Sequence, residues 1–108
     1  MAPDLHPPIA TYFAASNAHQ ADALAAVFTA DGHVHDEHQD HRGRAAIRDW
    51  AEDTFRQYAT VLTPREAIDE GGATVVTTGI AGTFPGSPIE LRFRFFTDGE
   101  AIRELEIG

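Results

Sequence analysis

The sequence contains no cysteine, which excludes a disulfide, a thiolate metal site and a cysteine nucleophile. It has no apolar run that could cross a bilayer, since a spanning helix needs about 20 apolar residues. Its opening run, Met1-Ala2-Pro3-Asp4-Leu5-His6-Pro7-Pro8, lacks the basic start and apolar stretch of a signal peptide. The cytoplasm is therefore the expected compartment, and residues 1–7 are expected to be loose. Basic residues are scarce: 8 against 17 acidic ones, for a formal net charge of −9. That balance repels nucleic acid and anionic lipid, so neither is expected as a partner, and it favours solubility. Repeats, low-complexity tracts and linkers are also missing. At 108 residues the chain reads as one domain, 1–108, with a single core.

What is present is patterned. Pro8 suits the first position of a helix, and Ile9, Tyr12, Phe13 and Ser16 follow helical spacing. Asn17 to Gln20 reads as a break. A second short helix is expected to carry Leu24, Val27 and Phe28, with Asp22 near its positive end. Ala30-Asp31-Gly32 should stop it, with Gly32 free to take a positive φ. His33-Val34-His35-Asp36 reads as a short strand and Glu37 to Gly43 as a polar loop. From Arg44 to Tyr58, the positions Ile47, Trp50, Ala51, Thr54, Phe55 and Tyr58 make one face of a third helix.

Strands follow. Val61 to Asp69 contains Pro64, which suits a sheet edge. Ala73 to Phe84 is rich in Thr and Val. Ile89 to Thr97 alternates, with Ile89, Leu91, Phe93 and Phe95 on one face and Glu90, Arg92 and Arg94 on the other. Ala101 to Ile107 closes the sheet after an Asp98-Gly99 turn. Helices first and strands later predict an α+β fold, with N-terminal helices covering the apolar face of a curved antiparallel sheet around an apolar pocket. The charged face offers cross-strand pairs, Arg92 or Arg94 with Glu104 or Glu106, or a dimer surface.

Strand parity singles out one acid. If apolar Val34 points inward, Asp36 does too, and His33 and His35 point away. Desolvation raises the pKa of a carboxylate on an apolar face, which suits it to general acid–base work. Otherwise Asp36 bonds loop amides at the strand end and does no more. Tyr12 lies on the buried face of the first helix, where a phenol beside a carboxylate can stabilise an oxyanion, or simply fill the core. The run His33-Val34-His35-Asp36-Glu37-His38-Gln39-Asp40-His41 is dense in metal-ligand types and approximates the H-x-H-x-D-H pattern of metallo-β-lactamases. Those enzymes need a longer chain and ligands from other loops, so a polar loop titrating near neutral pH is the simpler expectation. We expect no metal and no cofactor.

The runs Thr11-Tyr12-Phe13-Ala14-Ala15-Ser16-Asn17-Ala18, Ala26-Val27-Phe28-Thr29-Ala30-Asp31-Gly32, Val34-His35-Asp36 and Gly43-Arg44-Ala45-Ala46-Ile47-Arg48-Asp49-Trp50 together resemble the ketosteroid isomerase and SnoaL-like polyketide cyclase superfamily, as does the closing hairpin around Phe93-Arg94-Phe95. The resemblance spans nearly the whole chain. It implies the cone-shaped nuclear transport factor 2-like, or cystatin-like, fold. It also implies an apolar small-molecule ligand and a homodimer formed through the sheet. In that family a tyrosine of the first helix donates to a dienolate oxygen, and Tyr12 falls there. A proton-shuttling aspartate ends the strand after the second helix, and Asp36 falls there. Phe28, Val34, Trp50, Leu91, Phe93 and Phe95 would be walls. The position of the family's protonated aspartate is Leu91 here, because Glu90 has the wrong parity, so the chain departs from the isomerases at the second oxyanion donor. The implied activity is proton transfer next to a carbonyl of an apolar ring compound, as an isomerisation or an aldol-type cyclisation. The alternative is a non-catalytic ligand-binding or dimerisation module.

Overall fold

A computed structural model describes residues 3–108. Helix α1 (Pro7–Asn17) starts on two prolines, whose fixed φ and missing N–H suit a first helical turn. It buries Ile9, Tyr12, Phe13 and Ser16. Of the stretch 1–7 expected to be loose, Met1 and Ala2 lie outside the described residues. The rest is docked: Leu5 packs against the core, the His6 ring lies 3.3 Å from the carbonyl of Gly99, and Pro7 opens the helix. At the far end the Asn17 side chain clamps the backbone of Leu62, donating to its carbonyl at 2.8 Å and accepting from its N–H at 2.7 Å.

Helix α2 spans Ala21–Ala26, shorter than its spacing predicts. Phe28 belongs instead to strand β1 (Phe28–Asp36). The backbone there is claimed by tertiary partners: Ile102 donates to the Val27 carbonyl at 2.8 Å and Arg44 Nε to the Phe28 carbonyl at 2.9 Å. Such pairing overrides local helical preference. Gly32 lies within β1 and keeps a negative-side φ. What it contributes is the missing side chain, because a Cβ would come within 2.9 Å of that of Phe28.

The expected polar loop contains a strand, β2 (Gln39–Arg42), joined to β1 by a tight turn in which Glu37 and His38 take φ of 51° and 64°. This is a two-residue hairpin turn built without the usual Asn-Gly signature. Helix α3 (Arg44–Tyr58) matches its predicted bounds. Strands β3 (Val61–Glu70), β4 (Ala73–Ala81), β5 (Ile89–Asp98) and β6 (Ala101–Ile107) follow. β4 ends at Ala81, short of the predicted Phe84, because Thr83 donates to the Tyr58 carbonyl at 2.7 Å and turns the chain onto α3.

The six strands run in the order β2-β1-β6-β5-β4-β3. Pro64 sits on the edge strand β3, beside a bulge between Pro64 and Glu66. One pair departs from the antiparallel expectation: β1 and β6 are parallel. They are joined through the whole second half of the domain, so no hairpin dictates their direction. On the inner face Ile9, Phe13, Leu24 and Ile47 of the helices share one core with Phe28, Val34, Val76, Phe95, Ile102 and Leu105 of the strands. On the outer face Arg94 lies between Glu70, 3.6 Å away, and Glu106, 3.7 Å away.

Candidate active site

A cavity of about 180 Å³ opens between α1, α3 and the inner face of the sheet. Tyr12 and Ser16, one helical turn apart on α1, contribute its polar ceiling; Asp36 and Trp50 stand at one side; Leu91 and Phe93 form part of the floor. Tyr58, Phe84, Ile89 and Ile107 complete the apolar wall.

Asp36 ends β1 on the inward face that Val34 occupies, so its carboxylate reaches the cavity edge half-buried. Trp50 Nε1 donates to its Oδ2 at 3.2 Å. Burial raises the pKa of this carboxyl above the ordinary aspartate value, the Trp50 hydrogen bond lowers it, and the neighbouring Glu37 charge raises it further. His41 and the Glu37 N–H oppose this without reversing it. The net effect is a carboxylate that takes a proton more readily than a solvated one. The His41 ring lies 5.8 Å from that of Trp50, on the side toward β2.

Tyr12 is 2% exposed, and Ser16 is 3% exposed. Burial first, and the Asp36 charge second, push the Tyr12 phenol far upward, so it remains an O–H donor. No sealed side-chain oxygen or nitrogen among the described residues lacks a partner, and the hydroxyls of Tyr12 and Ser16 have no protein partner there; their accessible surface faces the cavity. The Tyr12 ring is wedged among Phe13, Phe28, Phe93 and Phe95, at centroid distances of 5.3 to 6.4 Å, in edge-on geometries that fix its orientation.

The structure thus brings Asp36, Tyr12, Trp50, Leu91 and Phe93 to one cavity. Three expected wall residues stand elsewhere. Phe28, Val34 and Phe95 are at most 1% exposed and lie in the packed core behind Tyr12, because the first two precede Asp36 on β1 and Phe95 meets α1 directly. Ser16 and Tyr58 are lining residues that chemical reading passed over. The signal was their helical spacing, i+4 from Tyr12 and the last position on the inner face of α3. Ile107 gave no local signal; its pairing with Phe93 brings it to the wall.

The histidines form a separate group. His33 Nε2 and His35 Nδ1 lie 2.6 and 2.9 Å from the same oxygen of Asp40, on the outer face of the β1–β2 hairpin. Their hydrogen bonds, His35 first and His33 second, hold the Asp40 carboxyl below the usual range. Among the described residues no three such side chains converge in a way that could hold a metal ion, and no helix is long and apolar enough to cross a membrane.

Residues 9–102 match the family described as the SnoaL-like domain. A crystal structure of a candidate polyketide cyclase from Sinorhizobium meliloti superposes with a TM-score of 0.92 at 33% identity, covering 97% of this chain and 96% of that one. A Catenulispora acidiphila protein with a ketosteroid isomerase-like fold, solved in complex with trimethylamine, gives a TM-score of 0.82 at 22% identity, over 100% and 86% of the two chains. SalBIII, an epoxide hydrolase/cyclase-like enzyme of pyran ring formation in salinomycin, gives 0.79 at 20% identity, over 93% and 85%. No curated protein is similar enough to count as a match.

Proposed function

The chain belongs to the SnoaL-like domain family, and from that premise we propose that it moves a proton next to the carbonyl of an apolar ring compound, to isomerise or cyclise it. One observation carries this reading: a carboxylate of raised pKa and a buried phenol with a free hydroxyl border the same apolar cavity. The cyclase designation of the S. meliloti protein and the ring-forming role of SalBIII are consistent with it.

In the proposed step, Asp36 accepts the proton α to the carbonyl. The C–H bonding pair becomes the enolate double bond, and the former C=O π pair moves to oxygen, where the Tyr12 O–H donates a hydrogen bond. The proton then returns from Asp36 to another carbon, giving an isomer. In the cyclisation variant the enolate carbon attacks a second carbonyl of the same molecule, and the proton goes to the new alkoxide. Trp50 is the positioning residue: its hydrogen bond to Oδ2 holds the carboxylate at the cavity edge.

Exchange of ketone α-protons for deuterium, followed by NMR on a panel of cyclic ketones, tests the proposal. Protein-dependent exchange that is lost in Asp36→Asn is expected; a variant that exchanges as fast as the parent overturns the assignment of the base. A second reading, ligand binding without turnover, draws on Leu91, which leaves the cavity floor apolar where the isomerases place a second donor. Saturable binding of a ketone with no exchange at any pH would favour it. We also propose that the chain forms a homodimer through the outer sheet face, which sedimentation at micromolar concentration would test.

A further inference from the structure

A second space adjoins the cavity and shares five of its lining residues. A groove of about 170 Å³ runs outward between the β1–β2 hairpin and α3. Asp36, Glu37, Trp50, Thr54 and Tyr58 line both. Their linings differ in kind. The inner chamber is walled mainly by apolar side chains, with Tyr12, Ser16 and Thr60 as its own polar members and Asp36, Glu37, Thr54 and Tyr58 where it meets the groove. The groove adds Gln39, His41, Asp53 and Gln57. Among the described residues no arginine lines either space, and the sequence has no lysine. Arg56 approaches Asp53 at 3.8 Å and is itself held by Glu52 at 2.8 Å.

Size and charge together restrict the ligand. A cavity of about 150 Å³ takes up benzene, so a chamber of about 180 Å³ accommodates one ring with a small substituent and excludes a four-ring skeleton. Anything larger must extend past the shared border, where Trp50 stands, into the groove. There Asp36, Glu37 and Asp53 set a negative potential, which low-dielectric walls focus. The buried hydroxyls of Tyr12 and Ser16, which have no partner among the described residues, mark the inner end as a place for a hydrogen-bonding group of the ligand.

We propose that the site takes a compact one-ring carbonyl compound bearing a positively charged arm. The ring fills the inner chamber, with its carbonyl toward Tyr12 and Ser16, and the cationic arm lies in the groove against Glu37 and Asp53. This deepens the proton-transfer reading of the same site and rests on it for the carbonyl. The charge and size preference stands on the chamber and groove alone.

Binding can be read directly, because Trp50 is the only tryptophan and borders both spaces. The full chain is titrated with 2-phenylethylamine, 2-phenylethanol and phenylacetate, three one-ring probes whose arms are cationic, neutral and anionic, and with a four-ring steroid. At low salt and near-neutral pH the amine is expected to bind about fivefold or more tighter than the alcohol, and the acid at least as much weaker. Raising the salt to about 0.5 M should compress that order. The double variant Glu37→Gln, Asp53→Asn should abolish it while keeping the affinity for the alcohol within about twofold. Both positions are exposed, and the alcohol titration confirms that the chamber survives. Equal affinities for the three arms, preference for phenylacetate, saturation by none of the probes, or a steroid bound as tightly as the single rings would each overturn the proposal. None of the one-ring probes is an enolisable ketone, so this result is separate from the exchange assay. Loss of the charge order with exchange intact refutes the substrate class alone, and the charge order without exchange refutes only the chemistry.

Discussion

Asp36 and Asp40 belong to one hairpin and face opposite ways, and their carboxyls are shifted in opposite directions. Asp36 looks inward, where lost solvation outweighs the hydrogen bonds from Trp50 and from the Glu37 N–H. Asp40 looks outward, where two imidazoles converge on one oxygen and outweigh a smaller loss of solvation. Identical side chains in adjoining strands thus hold a proton with opposite tendencies, Asp36 more readily and Asp40 less readily than a free aspartate. Nothing but the side of the sheet separates them, and in a β-strand the side alternates residue by residue.

The largest expected effect uses the two acids as each other's control. Asp36→Asn should lower α-proton exchange about 10²- to 10⁴-fold, the usual contribution of a positioned general base. Asp40→Asn should stay within about twofold of the parent. Equal losses would break the comparison, because the outer face would then be taking part in the chemistry.

Packing should show the same asymmetry. Val34 is fully buried, so Val34→Ala should destabilise the fold by about 2–3 kcal/mol in urea unfolding. Its strand neighbour His35, whose side chain is 42% exposed, should lose no more than about 0.5 kcal/mol as His35→Ala.

The smallest effect is the dependence of stability on pH. Asp36 holds its proton more tightly folded than unfolded. Its contribution is therefore present below the ordinary aspartate value and is lost as pH rises through the raised one. Asp36→Asn should be more stable than the parent at neutral pH, and the gap should close as pH falls. Asp40 has the opposite sign: its contribution is present above the ordinary value and is lost as pH falls through the lowered one. Being exposed, it should give a small effect that salt removes. Unfolding series over pH for both variants would sharpen the contrast or, if their signs agreed, remove it.

Much of this was legible from the residues. The inner face of α3 repeats on a helical period, and the alternation of Ile89 to Phe95 assigns faces without any structure. The pairing of Asp36 with Tyr12 followed from parity and helical spacing, strengthened by the resemblance to a family. What escaped notice depends on partners distant in the chain. Phe28 leaves its helix because Ile102 and Arg44 engage the backbone on either side of it. β2 is short, polar and enters through Glu37-His38, so no propensity announces it. Phe28, Val34 and Phe95 are apolar and inward-facing, as a wall residue must be. An inward face, however, serves both the packed core and the cavity, and only the depth of α1 divides them. The groove needed three dimensions, since its sides come from a hairpin and a helix whose separation no local pattern encodes.

The parallel pairing of β1 with β6 has a consequence for how the molecule comes into being. β6 lies between β1 and β5, so the hairpin carrying Asp36 has no bridge to the rest of the sheet until residues 101–107 are in place. During synthesis β1 lacks its neighbour on that edge until the last strand emerges. Long-range closure of this kind slows folding and leaves strand edges open in the meantime. A ribosome-bound chain stalled before Ala101 should therefore be protease-sensitive throughout its first half, and release of the final strand should protect both halves at once.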